Sequence, residues 1–200
     1  LFQTNNAPKN AYDLIAIATP PDTHLAIALE ALTECPKILH IEKPLCTPSL
    51  DGLESLKSSW HTTSPDTMIA VGYDHLVGES MVFVASLLKQ NTIGNVITFD
   101  VEFREHWAGI FKAHPWLSGP SDSYLGFTAR GGGASGEHSH ALNLWQYLAH
   151  EIGWGSVVNV SAHLDMVNEH GCSYDRIAAF HLTAKNGRMG RVVQDVVTSP

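Results

Sequence analysis

Positive charge, long apolar runs and cysteine are all scarce in this 200-residue chain. Its 12 lysines and arginines stand against 20 aspartates and glutamates, a formal net charge of −8, and they form no basic run. That excludes the electrostatic footprint by which a protein holds nucleic acid. No apolar stretch approaches the roughly 20 residues needed to cross a bilayer. The opening LFQTNNAPKN has neither the basic start nor the apolar segment of a secretory leader. Cys35, Cys46 and Cys172 have no paired spacing. A disulfide framework is therefore not expected, and the expected setting is a reducing cytoplasm. Internal repeats and low-complexity segments are absent too. What is present is a composition 44% hydrophobic and 16% charged, which predicts a packed core. Histidine is abundant at 12 residues, six of them between 106 and 163.

The first 90 residues alternate two periods. YDLIAIA (12–18), KILHI (37–41) and TMIAVGY (67–73) are apolar runs of strand length. Between them lie helical patterns. Asp22 stands in an N-cap position ahead of Leu25, Ala28, Leu29 and Leu32. Thr47-Pro48 reads as the start of a second helix through Leu50, Leu53, Leu56 and Lys57, and GESMVFVASLLKQ (78–90) as a third. Strand–helix–strand alternation predicts parallel strands with helical crossovers, an α/β sheet. LIAIA is apolar on both faces, as a central parallel strand is, yet no earlier strand pairs with one side of it. A preceding β-α-β unit is the expected completion.

After Gly94 the pattern changes. NVITFDVEFREHW (95–107) alternates, and a loop rich in Gly, Pro and Ser runs from about 108 to 130. The stretch GGGASGEHSHALNLWQYLAHEIG then places Leu142, Trp145, Leu148 and Ala149 on one helical face. Trp145 and Tyr147 read as packing residues. Three strand-like runs follow (156–167, 174–184, 188–198), with Asn186-Gly187 as a hairpin signal between the last two. The expected division is therefore 1–92, part of a parallel α/β domain, and 93–200, an α+β domain with a mostly antiparallel sheet.

Open α/β sheets bind ligands at the carboxyl ends of their strands. The three ends here read Thr19-Pro20-Pro21, Glu42-Lys43-Pro44 and Tyr73-Asp74-His75. A lysine at such a point can serve as a positioned cation or a proton donor. The plainer reading is a polar pair facing water at a loop.

At these residues the chain resembles the glucose–fructose oxidoreductase / inositol dehydrogenase (Gfo/Idh/MocA-type) family. The resemblance rests on IAIATPPDTHLAIALEAL, HIEKPL, VGYDHLVGES, IGNVITFDVEF and RGGGASGEHSHALNLW, and it spans roughly residues 11 to 170. It implies an NAD(P)-dependent sugar oxidoreductase, with NAD or NADP as cofactor and a sugar-type substrate. The first domain would be the second half of a Rossmann-like dinucleotide-binding domain. The second would bind substrate and join copies into a homo-oligomer through its sheet. Lys43 takes the family's catalytic or substrate-orienting position. Glu42 lies near the nicotinamide ribose by the same analogy, Thr19 and Pro20 line the cofactor cleft, and His24 opens the helix behind them. Tyr73, Arg130, His138 and Asn143 join Lys43 as substrate-binding candidates.

This chain departs from the family pattern in two places. The glycine-rich phosphate loop Gly-x-Gly-x-x-Gly does not occur in it, and Gly131–Gly133 is no substitute because no nucleotide-binding strand precedes it. Near the catalytic histidine, counting from the glycines puts Glu137 on the family's Asp but Ala141 on its His. Counting from the His-x-x-Asp part puts His140 on the His and Asn143 on the Asp. His140 is the favoured acid/base, His138 the reserve, and Glu137 the group that orients or tunes it.

The alternative reading is a truncated relative that keeps the fold for sugar binding or assembly without catalysis. Glu137, His138 and His140, with His106 or His114, are a weaker metal-site reading that would imply a hydrolase or lyase; no metal ligands are assigned. Trp107, Trp116 and Tyr124 in the long loop could wall a sugar ring, or simply be surface aromatics.

Overall fold

A computed structural model describes residues 10–199. The chain divides into two compact units, the first ending at Gly72 and the second beginning at Tyr73.

The first unit is a three-stranded parallel sheet with two helices: β1 (Leu14–Ile17), α1 (Pro21–Leu32), β2 (Ile38–Glu42), α2 (Leu53–Thr63) and β3 (Met68–Gly72). The strands lie in the order β1-β2-β3. Ile17 pairs with Ile41, and Glu42 with Gly72, so the strand ends fall together at one edge. Ile17, Leu25, Ala28, Leu32, Leu39, Ile41 and Leu56 form the core. Leu32 and Leu39 are fully buried, each such side chain contributing about 1.5–3 kcal/mol.

Both helix starts differ from the expected ones. Pro20 occupies the N-cap of α1 and Pro21 its first position, so Asp22 sits inside the first turn, where its charge complements the helix dipole. Thr47-Pro48 opens a turn rather than a helix. The Leu50 N–H donates to the Thr47 carbonyl, Leu50 takes a positive φ of 59°, and α2 begins after Gly52 at φ 88°. Thr-Pro signals a turn as readily as a helix start, and only Gly52 reaches that left-handed geometry without cost.

The second unit starts with a 3-10 turn, Asp74–Val77, followed by α3 (Glu79–Lys89) and β4 (Asp100–Arg104). After these come α4 (Trp107–Ala113), α5 (Gly133–Glu137), α6 (His140–Glu151), β5 (Val157–Glu169), β6 (Cys172–Ala184) and β7 (Met189–Asp195). The sheet order is β4-β7-β6-β5. The β5–β6 and β6–β7 pairs are antiparallel, the second turning at Asn186-Gly187 as expected, and β4 joins β7 in parallel. Helix α6 lies on this sheet, packing Ala141, Trp145 and Ala149 against Leu182, Ala184 and Val192. The Trp145 indole donates to the Phe99 carbonyl at 3.1 Å.

Residues 73–92, grouped with the first domain by the sequence pattern, fall in the second unit. Helix α3 contacts α6, and Lys89 pairs with Glu151. The alternating run 95–107 yields only five residues of strand. The long loop contains α4 and three 3-10 turns, Pro120–Asp122, Tyr124–Gly126 and Thr128–Arg130. Among the described residues no helix is long and apolar enough to cross a membrane.

Candidate active site

In the first unit the site residues sit where the parallel strands end. Glu42 closes β2, and its carboxylate accepts the Lys43 N–H at 3.0 Å. The Lys43–Pro44 peptide is cis. Gly72, opposite Glu42, is packed tightly: a Cβ there would come within 3.0 Å of Glu42 Oε2 and 3.2 Å of His40 Nε2. His24 is fully buried. Its Nδ1 lies 3.0 Å from the Pro44 carbonyl oxygen and its Nε2 2.6 Å from the Thr19 carbonyl oxygen. One imidazole thus lies between the turn after β1 and the turn after β2, within hydrogen-bond distance of a carbonyl in each and donating to one of them. Within the turn after β1, the Thr23 hydroxyl donates to the Thr19 hydroxyl at 2.7 Å or the Pro20 carbonyl at 2.8 Å. His24 lies in the first turn of α1, behind the Thr-Pro turn.

In the second unit an aromatic cluster surrounds His140, the first residue of α6. Its ring lies 5.6 Å from Phe103 at 22°, 5.7 Å from Tyr73 at 85°, and 4.4 Å from His75 at 88°. His138 also stacks on Phe103, at 5.0 Å and 30°. The one-residue slip between His138 and His140 therefore puts both imidazoles against a single phenylalanine. They have different acidic neighbours: Asp74 Oδ1 is 3.7 Å from His140 Nδ1, and Glu105 Oε2 is 3.9 Å from His138 Nε2. Glu137 accepts the Tyr124 hydroxyl at 3.0 Å. Asn143, one turn on from His140, has a buried Oδ1 with no hydrogen-bond partner among the described residues. Arg130 lies 5.9 Å from the Phe127 ring centroid.

Asp175, on β6, anchors the segment that carries these histidines. It is fully buried and accepts the Ser135 N–H at 2.7 Å, the Ser135 hydroxyl at 3.0 Å and the Thr128 hydroxyl at 2.9 Å. Burial pushes its carboxyl up from the usual aspartate range, and these hydrogen bonds offset only part of that. The triple glycine belongs to this anchor. A Cβ on Gly132 would strike the Tyr124 carbonyl, and one on Gly133, at φ 77°, would strike the Asp175 carboxylate. These glycines serve close packing.

Among the described residues Glu137, His138 and His140 do not gather with His106 or His114 into a three-ligand cluster. His106 caps α4, accepting the Ala108 N–H at 3.0 Å, and His114 Nδ1 donates to the Ile110 carbonyl at 2.8 Å. Among the described residues the three-ligand cluster that forms is Asp74, His75 and His140. Trp107 stacks on Phe111 at 5.5 Å and meets Tyr174 at 5.7 Å, a packing role, while Trp116 is 73% exposed.

Sequence reading missed Phe103 and Asp175, and it named Asp74 and His75 only as part of a polar strand end. An aspartate within the strand run CSYDRIAAF was the available signal for Asp175. Phe103 looked like any inward residue of an alternating strand.

No family model and no curated protein matches this chain. Solved structures do match. The WlbA dehydrogenase from Bordetella pertussis, in complex with NADH and UDP-GlcNAcA, is 19% identical at a TM-score of 0.73, over 94% of this chain and 54% of that one. An inositol dehydrogenase homolog from Azotobacter vinelandii, with NADH and myo-inositol, is 19% identical at 0.69, over 94% and 45%. An oxidoreductase from Agrobacterium radiobacter, with NAD+, L-tartaric acid and magnesium, is 19% identical at 0.74, over 95% and 50%. The chain spans about half the length of the structures it matches. At this identity the likeness establishes the fold, and the fold is the one the family resemblance implied.

Proposed function

We propose that this chain is part of an NAD(P)-dependent oxidoreductase that moves hydride to or from a sugar, sugar derivative or nucleotide sugar. The observation that carries the reading is Glu42-Lys43-Pro44 at the carboxyl end of a parallel strand, in a fold shared with structures that hold NADH beside myo-inositol or UDP-GlcNAcA. The residues suit a ribose-bearing cofactor. A carboxylate at a strand end accepts hydroxyl groups, and the tight approach at Gly72 keeps side-chain bulk away from it. When bound, the nicotinamide supplies hydride acceptance or donation.

In the oxidation direction the substrate carbon loses hydride and its hydroxyl loses a proton. His140 takes that proton, and Lys43 holds the oxygen with its ammonium as the carbonyl forms. Phe103 and Tyr73 fix the plane of the His140 ring. Glu137, held by Tyr124, orients the histidine segment. Asn143, one turn on from His140, is a further substrate-binding candidate. His138, Arg130 and Tyr73 complete the substrate contacts.

A homo-oligomer built through the sheet fits the apolar side chains that β5 leaves exposed, Val158, Val160, Leu164 and Met166. The free thiols of Cys35, Cys46 and Cys172 fit a reducing, cytoplasmic setting. The test is an assay of the full-length protein with NAD+ and NADP+ against a panel of polyols, sugars and nucleotide sugars. Turnover with at least one member supports the reading; silence across the panel with both nucleotides overturns it.

A further inference from the structure

The geometry points to a divalent transition-metal site formed by Asp74, His75 and His140. Asp74 Oδ1 lies 3.9 Å from His75 Nε2 and 3.7 Å from His140 Nδ1, and the three ligand atoms all lie within 4.8 Å of one another. Ligands about 2.0–2.2 Å from a tetrahedral Zn²⁺ sit about 3.3 Å apart. The two carboxylate–imidazole distances thus need to close by only a few tenths of an ångström.

Asp74 and His75 are exposed, on a 3-10 turn, while His140 is buried and held by Phe103 and Tyr73. The two exposed ligands lie beside one buried ligand, the His75 ring also meeting Phe103 at 5.2 Å. The imidazoles of His75 and His140 cross at 88° with centroids 4.4 Å apart, so they approach a shared point from different directions instead of stacking.

The donor set selects the class of ion. Two imidazoles and one carboxylate favour Zn²⁺, Co²⁺ or Ni²⁺ over Mg²⁺ and Ca²⁺, which take oxygen ligands. A protein with three ligands leaves the fourth position for water or a substrate oxygen. Binding itself does not depend on the oxidoreductase reading. Only its consequence does: a metal on His140 Nδ1 takes that ring out of proton transfer through the same nitrogen.

The test is calorimetric titration of the tag-free, chelator-treated chain with Zn²⁺, Co²⁺ and Mg²⁺, with Co²⁺ binding also followed by visible absorption. The expected result is one Zn²⁺ or Co²⁺ per chain, a Co²⁺ spectrum of low coordination number, and no Mg²⁺ uptake at the same concentration. His75→Ala and Asp74→Asn should each weaken Zn²⁺ at least about tenfold, the scale at which even supporting residues act. His163→Ala, an exposed histidine on β5, should leave affinity unchanged. Circular dichroism checks that each variant is folded. Absence of one-to-one Zn²⁺ binding, or equal affinity in His75→Ala and the parent chain, would overturn the site while leaving the dehydrogenase reading intact.

Discussion

Ser135 donates both its backbone N–H and its hydroxyl to the carboxylate of Asp175, at 2.7 and 3.0 Å, across 40 residues of sequence. This pair ties the glycine-rich lead-in of α6 to strand β6, and the two histidines follow within five residues.

Replacing Asp175 tests that tie. Asp175→Ala leaves the Ser135 N–H and two hydroxyls without their acceptor, which costs about 2–3 kcal/mol. For a chain of this length that lowers the melting temperature by roughly 5–10 °C. The pH dependence has a definite sign. Because the folded carboxyl is raised above 3.8, the folded state holds its proton longer than the unfolded state. Asp175's contribution is then full below 3.8 and falls as pH rises through the raised value. Melting curves of the parent chain and Asp175→Asn against pH should diverge in slope over that window.

Gly133→Ala is the complementary change. Its φ of 77° disfavours any Cβ, and the added methyl meets Asp175. A loss of about 1–3 kcal/mol is expected from overpacking alone. Gly187→Ala also has a positive φ but meets nothing within 4 Å, so it should cost less. Equal melting temperatures for the two variants would argue against the close-packing role.

The Arg104–Asp195 pair behaves in the opposite sense to Asp175. Burial alone would raise the Asp195 carboxyl, but hydrogen bonds from Thr198, Arg104 and Val197 outweigh it and hold it below 3.8. Its stabilisation is present above 3.8 and is lost as pH falls through the lowered value. Arg104 is 39% exposed but Asp195 only 1%, so Arg104→Ala leaves a buried carboxylate short of one donor and should cost about 1–3 kcal/mol at neutral pH. That difference should shrink in acid, as read by urea unfolding at a series of pH values.

His24→Ala should loosen both strand-end turns together. The buried imidazole lies between two carbonyl oxygens and donates its one N–H to one of them, and its loss costs about 1–3 kcal/mol. Hydrogen exchange gives the local readout. The Thr23 and Lys43 amides should both lose protection, while Trp145, in the other unit, should not.

The parallel half of this fold was legible because its strands are apolar on both faces and its helices are amphipathic. The β6–β7 hairpin was legible because Asn-Gly favours the tight turn that joins antiparallel strands. Lys43 stood out as a charge at the end of an apolar strand. Other features carried no local signal. Helix α4 is seven residues long and borders a Gly/Pro-rich loop, so its period never had room to show. Thr47-Pro48 was a turn because Leu50 and Gly52 take left-handed conformations, which depends on packing. The cluster of His75, Phe103, His138 and His140 joins three separate segments of the chain. Nothing in any one segment reveals that Phe103 lies beneath both imidazoles.

The central claim is that Lys43 and His140 handle the proton that accompanies hydride transfer. Its most direct test is steady-state turnover of Lys43→Ala and His140→Ala in the full-length protein, followed through nicotinamide absorbance on a substrate the parent enzyme accepts, with melting temperatures measured alongside. The account expects kcat to fall by about 10²–10⁴ in each variant, the range typical of a lost acid or base, without a matching loss of fold. Unchanged turnover in either variant, with the fold intact, would contradict it.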